Sequence, residues 1–488
     1  MSSPNTIDTL TSALVARYLR TNNYTETLQA LIREAELEPD VGQSSGDDTN
    51  GWTIQNLLEE KRAFDHSVNF ERYGQSKEPD NLWSTPAPST PTIVETPTSS
   101  NLLAASVEVW QKPQDDENST GQPFIISTGA DRRVHLLKTE VGNPAFASFS
   151  GLSDSPVLSY VILQGRYILM TNMSGHLLLQ DGAHVLDTRK DHMKYAVKVV
   201  AYEEQGDSNS PKKIWLATAG WDAKILIYQI SIPAGESDTS SIVIGEPVAC
   251  IKTTTNPESL LFVRHINSDE LLLLVSRRDS THIYYYQVEY PSKTDNDSIQ
   301  GSSVPECDLL GRQNLAPHSN TWVAFSPAYM ALSPHDRGLL AVATSTLPHL
   351  KVMIVRLLFP SKTLVTDAVS EPVTQASQAL EALQLHNRED AAILVQANTF
   401  APQTEYSTPQ VAWRPDGSGV WVNGDDGVIR GIETKTGKLI ATLKDGHEPG
   451  CKVRTIWAGY VNVNGNEAEQ EEWMISGGFD KKLIVWKV

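Results

Sequence analysis

The sequence predicts an all-β repeat fold behind a small N-terminal α-helical module. Three observations predict it. First, a strand–turn–strand pattern recurs five times, at Ile125–Leu137, Trp215–Tyr228, Leu272–Tyr285, Val420–Ile432 and Trp473–Val488. Second, each copy sets an Asp six residues before a bulky apolar residue: Asp131/Leu137, Asp222/Tyr228, Asp279/Tyr285, Asp426/Ile432 and Asp480/Trp486. Asp favours turns because its carboxylate accepts backbone N–H groups, and a lone hairpin is marginal in water, so repeated copies imply one larger assembly. Third, the first forty residues instead carry apolar residues at spacings of three and four, and a Pro/Ser/Thr-rich stretch divides the two regimes.

These hairpins resemble the WD40 repeat, with Gly446-His447 standing for the family's Gly-His dipeptide and Trp486 for its strand-end Trp. The resemblance covers residues 90–488 and implies an all-β propeller, seven-bladed and WD40-like, with four strands per blade, assigned to 101–488. The first blade holds Leu102–Trp110, the hairpin at 124–138 and Ala145–Phe149. The second runs from Val157 to Leu186, the third from Tyr195 to Thr255 and the fourth from Ser259 to Leu315. The fifth starts at Trp322 and carries a helical insertion, Val373–Leu385, with Leu380, Leu383 and Leu385 apolar, before strand Ile393–Gln396. The sixth spans Gln410–Leu443 and the seventh Val453–Val488. Blades two and five lack the Asp signature. The seventh stops after its third strand, so Ile93-Val94 or Leu102–Ala105 is expected to supply the fourth, locking first to last and removing an open sheet edge.

Residues 5–38 read as a helical pair. Ile7, Leu10, Leu14 and Tyr18 share one face, Thr21-Asn22-Asn23 breaks the helix, and Leu28 and Leu31 line a second one. About 34 residues cannot bury enough surface to stand alone, so the apolar stripe needs a partner. The spacing from Leu14 to Glu34 resembles the LisH motif, with Asn23 where that family has Gly. The resemblance implies a homodimer through Ile7, Leu10, Leu14, Tyr18, Leu28 and Leu31; docking on the chain's own propeller is the alternative. Residues 52–73 read as an additional helix, with Ile54, Leu57, Leu58, Phe64 and Val68 apolar. Residues 74–100 read as an extended linker with three Thr-Pro pairs.

The net charge is −19, and residues 1–100 hold 7 Lys/Arg against 15 Asp/Glu. No basic footprint for nucleic acid or anionic membrane is hidden in the average. The N-terminus lacks a basic-then-apolar leader, and the longest apolar run, 339–359, is broken by Pro348, His349, Lys351 and Arg356, which predicts no membrane insertion. Cys250, Cys307 and Cys451 form neither a disulfide framework nor a CxxC clasp, which fits a reducing, intracellular setting, cytoplasmic or nuclear.

Chemistry-bearing motifs do not emerge. HExxH, GxSxG and phosphate loops are missing, and the histidines do not cluster, so no catalytic residue, cofactor or metal is expected. Asn423–Gly427 reads as a turn, and the WD40 resemblance gives His447 a structural bond to the turn Asp. In WD40 propellers the residue before the turn Asp faces one mouth of the ring. Here those residues are Ala130, Trp221, Arg278, Asp425 and Phe479. Trp221, Arg278, Asp425 and Phe479 are therefore the candidate partner-binding face, Trp and Arg being enriched where proteins bind. The expectation is a noncatalytic scaffold that binds protein partners, with a ubiquitin-ligase substrate receptor and a propeller enzyme as alternatives.

Overall fold

A computed structural model of the chain describes residues 6–42, 53–54, 83–111, 121–204, 212–232, 242–288, 304–317, 325–360, 375–463 and 470–488. Side chains of 6–11 and 375–382 fall outside that description, as does nearly all of the helix expected at 52–73. Two compact units emerge, one carrying the N-terminal helices and one carrying the strands.

In the first unit, α1 (Thr6–Thr21) and α2 (Thr25–Glu34) fold back on each other. Asn23 makes the reversal with φ 59. Its short polar side chain tolerates this left-handed backbone, as expected for a position where LisH has Gly. Ala16, Leu19 and Leu28 form the buried centre, with Val15, Leu31, Ile32 and Val41 partly buried around it. Arg20 holds the following turn down: its Nε donates to Val41 O at 3.0 Å, and the guanidinium also reaches Pro39 O.

The second unit is a seven-bladed β-propeller, because the strands sort into seven antiparallel four-stranded sheets. Six sheets are consecutive in sequence. The seventh takes its outermost strand from Thr90–Val94, which pairs with Leu483–Lys487 from Thr90↔Lys487 to Val94↔Leu483. Seven hydrophobic clusters fill the seams between neighbouring blades. One joins Trp473, Ile475 and Val485 of the last blade to Leu102, Ile125 and Leu137 of the first, so the ring is continuous. Its strands bury Trp421, Trp473 and Trp486 completely. Full burial of one large apolar side chain stabilises by roughly 1.5–3 kcal/mol.

The closing strand is led in by a strap, residues 83–89, that sits on the sixth and seventh blades. Trp83 fits a slot opened by two glycines: a Cβ on Gly419 or Gly431 would collide with its ring at 2.2 or 2.5 Å. The Trp83 ring meets Trp421 edge-on at 5.2 Å and lies 4.6 Å from the Arg414 guanidinium. Arg414 is fully buried and bonds Glu472 through two nitrogens, at 2.8 and 2.6 Å, while a third donates to Ser84 O at 2.7 Å. A buried arginine is tolerable only when its donors are taken in this way.

Two expectations need correction. The insertion helix, α3, spans Gln375–Ala391 among the described residues and runs on past the expected end at Leu385; 373 and 374 lie outside the description. Its Leu383 and Leu385 are exposed, and Glu389 is its buried anchor, accepting Asn314 N at 2.7 Å; the Leu380 side chain is not described. In the fourth blade Asp279 is not the turn acceptor. It takes the left-handed backbone, φ 58, that Arg132, Ala223 and Lys481 take one residue after their Asp. The Ser280 hydroxyl accepts His282 N instead. The six-residue offset to Tyr285 does not mark an equivalent turn in that blade.

Candidate functional site

The hairpin turns divide into residues that hold blades together and residues left to face outward. In the last blade His447 Nδ1 lies 3.0 Å from the Asp480 carboxylate, and Nε2 lies 2.8 Å from Ser476 Oγ. Trp486 Nε1 donates to the same oxygen at 2.9 Å. An ionised carboxylate can only accept, so Nδ1 carries the proton and Ser476 donates to Nε2. Burial pushes the Asp480 pKa up, but His447 and the Glu448 and Lys482 N–H groups outweigh it and hold the carboxyl down at about 2. The third blade repeats this, with His192 bonded to Asp222 at 3.0 Å and to Thr218 at 2.9 Å. In the first blade the histidine comes from the hairpin itself, as His135 Nε2 meets Asp131 at 2.8 Å. The sequence concealed His192 because Asp191, not glycine, precedes it. Buried hydroxyls at matching strand positions, such as Thr218 and Ser476, were the signal available.

His447, Cys451 and Asp480 are the one His/Cys/Asp/Glu group close enough to share an ion among the described residues. They are already committed to one another: Asp480 N donates to Cys451 Sγ at 3.1 Å. Burial and the neighbouring Asp480 push the Cys451 thiol up to about 11, which keeps it protonated and a poor ligand at neutral pH.

The four outward candidates differ. Trp221 is 40% exposed and stacks on Tyr195 at 5.2 Å; Phe479 is 41% exposed. Arg278 is half-exposed and paired with Glu258 at 2.7 Å. Asp425 is instead tied down by Lys452 at 3.1 Å and by the Ser407 hydroxyl at 2.5 Å, so it organises the entrance loop, residues 404–410, more than it presents a contact.

Trp221 and Arg278 line a cavity of about 290 Å³ to which all seven blades contribute. It lies at the end of the ring where the inner strands begin. The antiparallel register puts the hairpin turns at that same end, since Val453, which opens its strand, pairs with Gly478 just before the Asp480 turn. In six blades the inner strand starts with a one-residue register shift, which skips Leu103, Leu158, Val197, Glu258, Ala328 and Arg454. A bulge turns its extra residue out of the ladder and re-aims the side chain. All six bulged residues line the cavity. A sequence shows charged residues in apolar strands, such as Arg454 in VRTIWAGYVN, but a register shift is visible only once strands are paired.

On the helical unit, Tyr18 and Tyr24 are exposed with rings 6.4 Å apart, and Leu14 and Leu31 are half-buried. Leu28 packs inside the pair and supports the surface from below, so it is not free to touch a partner, contrary to its place among the expected contacts. Ile7 and Leu10 have no described side chains.

Residues 319–487 match the family model described as UCP007778, beta-propeller domain, and residues 9–37 match UCP007778, LisH domain. Among solved structures, a computationally designed protein, Ika8, matches. Its crystal structure is 11% identical in sequence, with TM-score 0.43, over 82% of this chain and 100% of that one. No curated protein matches. A LisH module with a propeller is a protein-interaction architecture.

Proposed function

We propose that the chain is a noncatalytic scaffold or assembly subunit of a multiprotein complex. It binds protein partners at the propeller mouth and pairs with a second copy through its LisH helices. The observation that carries this reading is the division at the turn end of the ring. His447, Asp480, Ser476 and Trp486 are buried and consumed in holding a blade. Trp221, Arg278 and Phe479 are left facing solvent around a cavity mouth or beside it. Large aromatic and guanidinium groups kept exposed on a rigid frame are what binding hot spots are made of. For pairing, the half-buried Leu14 and Leu31 support the LisH reading, since isologous contact between two such units would complete a small helical bundle. Three free cysteines fit a reducing intracellular compartment. Among the described residues no helix is long and apolar enough to cross a membrane.

Affinity purification with mass spectrometry tests the reading, comparing the wild type with Trp221→Ala/Phe479→Ala and with Leu14→Asp/Leu31→Asp. The first variant is expected to lose partners while staying folded, and the second to lose self-association. Unchanged partner composition and mass for both would overturn it.

A further inference from the structure

The six bulged residues are structurally equivalent, one in each of six blades, and four of them are Leu103, Leu158, Val197 and Ala328. Only Glu258 and Arg454 are charged. Glu258 is taken by Arg278, whereas the Arg454 guanidinium makes no hydrogen bond or ion pair among the described residues. Burial in the channel wall lowers the Arg454 pKa, against the opposing charge of Glu258, to about 10. Lys198 also enters the cavity, 4.6 Å over the Tyr329 ring. The lining thus holds Lys198, Arg278 and Arg454 against Glu108 and Glu258, a cationic excess inside a chain of net charge −19. Arg454 is half-buried and lines the cavity with no direct partner, so a carboxylate entering the mouth would meet a cation that Glu258 only opposes at a distance. Trp221, exposed and stacked on Tyr195, lines the same cavity.

We infer that the channel mouth binds an extended peptide segment that places one carboxylate on Arg454 and an adjacent apolar side chain on Trp221. This rests on the mouth being the partner surface and adds what the partner must present. A single acidic residue fits better than an acidic run, because the chain's overall negative charge repels the latter. A small free anion would leave the aromatic wall uncovered. Glu258 competes with the ligand for both arginines and so tunes affinity.

The test is selection of a random heptapeptide display library on the full chain, followed by fluorescence polarisation with one selected peptide. Its Glu→Gln or Asp→Asn version and inorganic phosphate serve as controls. The expected consensus pairs one acidic residue with an aromatic or aliphatic one. Arg454→Gln should weaken binding at least about tenfold, as losing a charge-assisted contact does. Glu258→Gln should tighten binding, and phosphate should compete poorly. Arg454→Gln should also leave the unfolding midpoint unchanged or raised, whereas an arginine serving structure alone would lower it. No selection, no acidic preference, or equal binding by Arg454→Gln overturns the inference. Peptides without an acid that are lost on Trp221→Ala overturn it while leaving the mouth as a partner surface. Peptides indifferent to Arg454→Gln, Trp221→Ala and Phe479→Ala alike overturn both.

Discussion

Arg414→Leu removes the sixth-blade anchor of the strap that leads into the ring-closing strand, and its cost can be worked from the contacts. The guanidinium is 0% exposed and Glu472 is 8% exposed. The substitution leaves the Glu472 carboxylate buried without its two donors, which costs about 3–5 kcal/mol. It also strands Ser84 O and removes the cation from the Trp83 face, a further loss of about 1–2 kcal/mol. The sum is a large part of a typical folding stability of about 5–15 kcal/mol. Replacing both partners with apolar residues behaves differently, because no charge is left uncompensated. Arg414→Leu/Glu472→Leu should recover most of the loss and cost only about 1–2 kcal/mol, from the strap contacts. Urea unfolding followed by circular dichroism gives both numbers. A single variant costing less than about 1 kcal/mol, or a double variant as unstable as the single, would refute the reasoning that this buried pair anchors the strap.

Other outcomes follow from the same geometry. Asp480 titrates at about 2 in the fold, below its ordinary value of about 3.9, so its stabilisation is complete above about pH 4 and lost as pH falls toward 2. Asp480→Asn should lower stability at neutral pH by on the order of 2 kcal/mol and flatten the unfolding midpoint between pH 4 and 2. A wild-type slope retained there would contradict it. Val94→Asp, which puts a charge at a position 3% exposed on the closing strand, should open the last blade and raise hydrogen exchange at 483–487 before the other blades. Leu14→Asp/Leu31→Asp should halve the mass in light scattering without altering the propeller's unfolding.

How much of this was legible depends on which interactions are local. The turn Asp and its strand are neighbours in sequence, so the hairpins at 131, 222, 426 and 480 could be read directly. Asp279 shared the spacing but not the role, because Ser280 can accept the same N–H. The second blade lacks the Asp, yet Asn172 Oδ1 accepts the N–H groups of Ser174 and His176 and does the same work. Ile93-Val94 stood out as an apolar pair in a Pro/Ser/Thr stretch, and the closing strand contains it. Trp83 gave no such signal, since its slot is made by Gly419 and Gly431, over three hundred residues away. The candidate site was half legible. Trp221, Arg278 and Phe479 follow from turn position, whereas Glu258 and Arg454 depend on a register shift that pairing alone defines.

Hydrogen exchange on the propeller, free and bound to a co-purified partner, tests most directly whether the turn end of the ring is the working face. Protection is expected at the turns around 221–223, 278–280 and 479–481 and at the entrance loop 404–410. Protection confined to the outer strands, such as 184–189 or 393–402, with those turns exchanging freely, would contradict it.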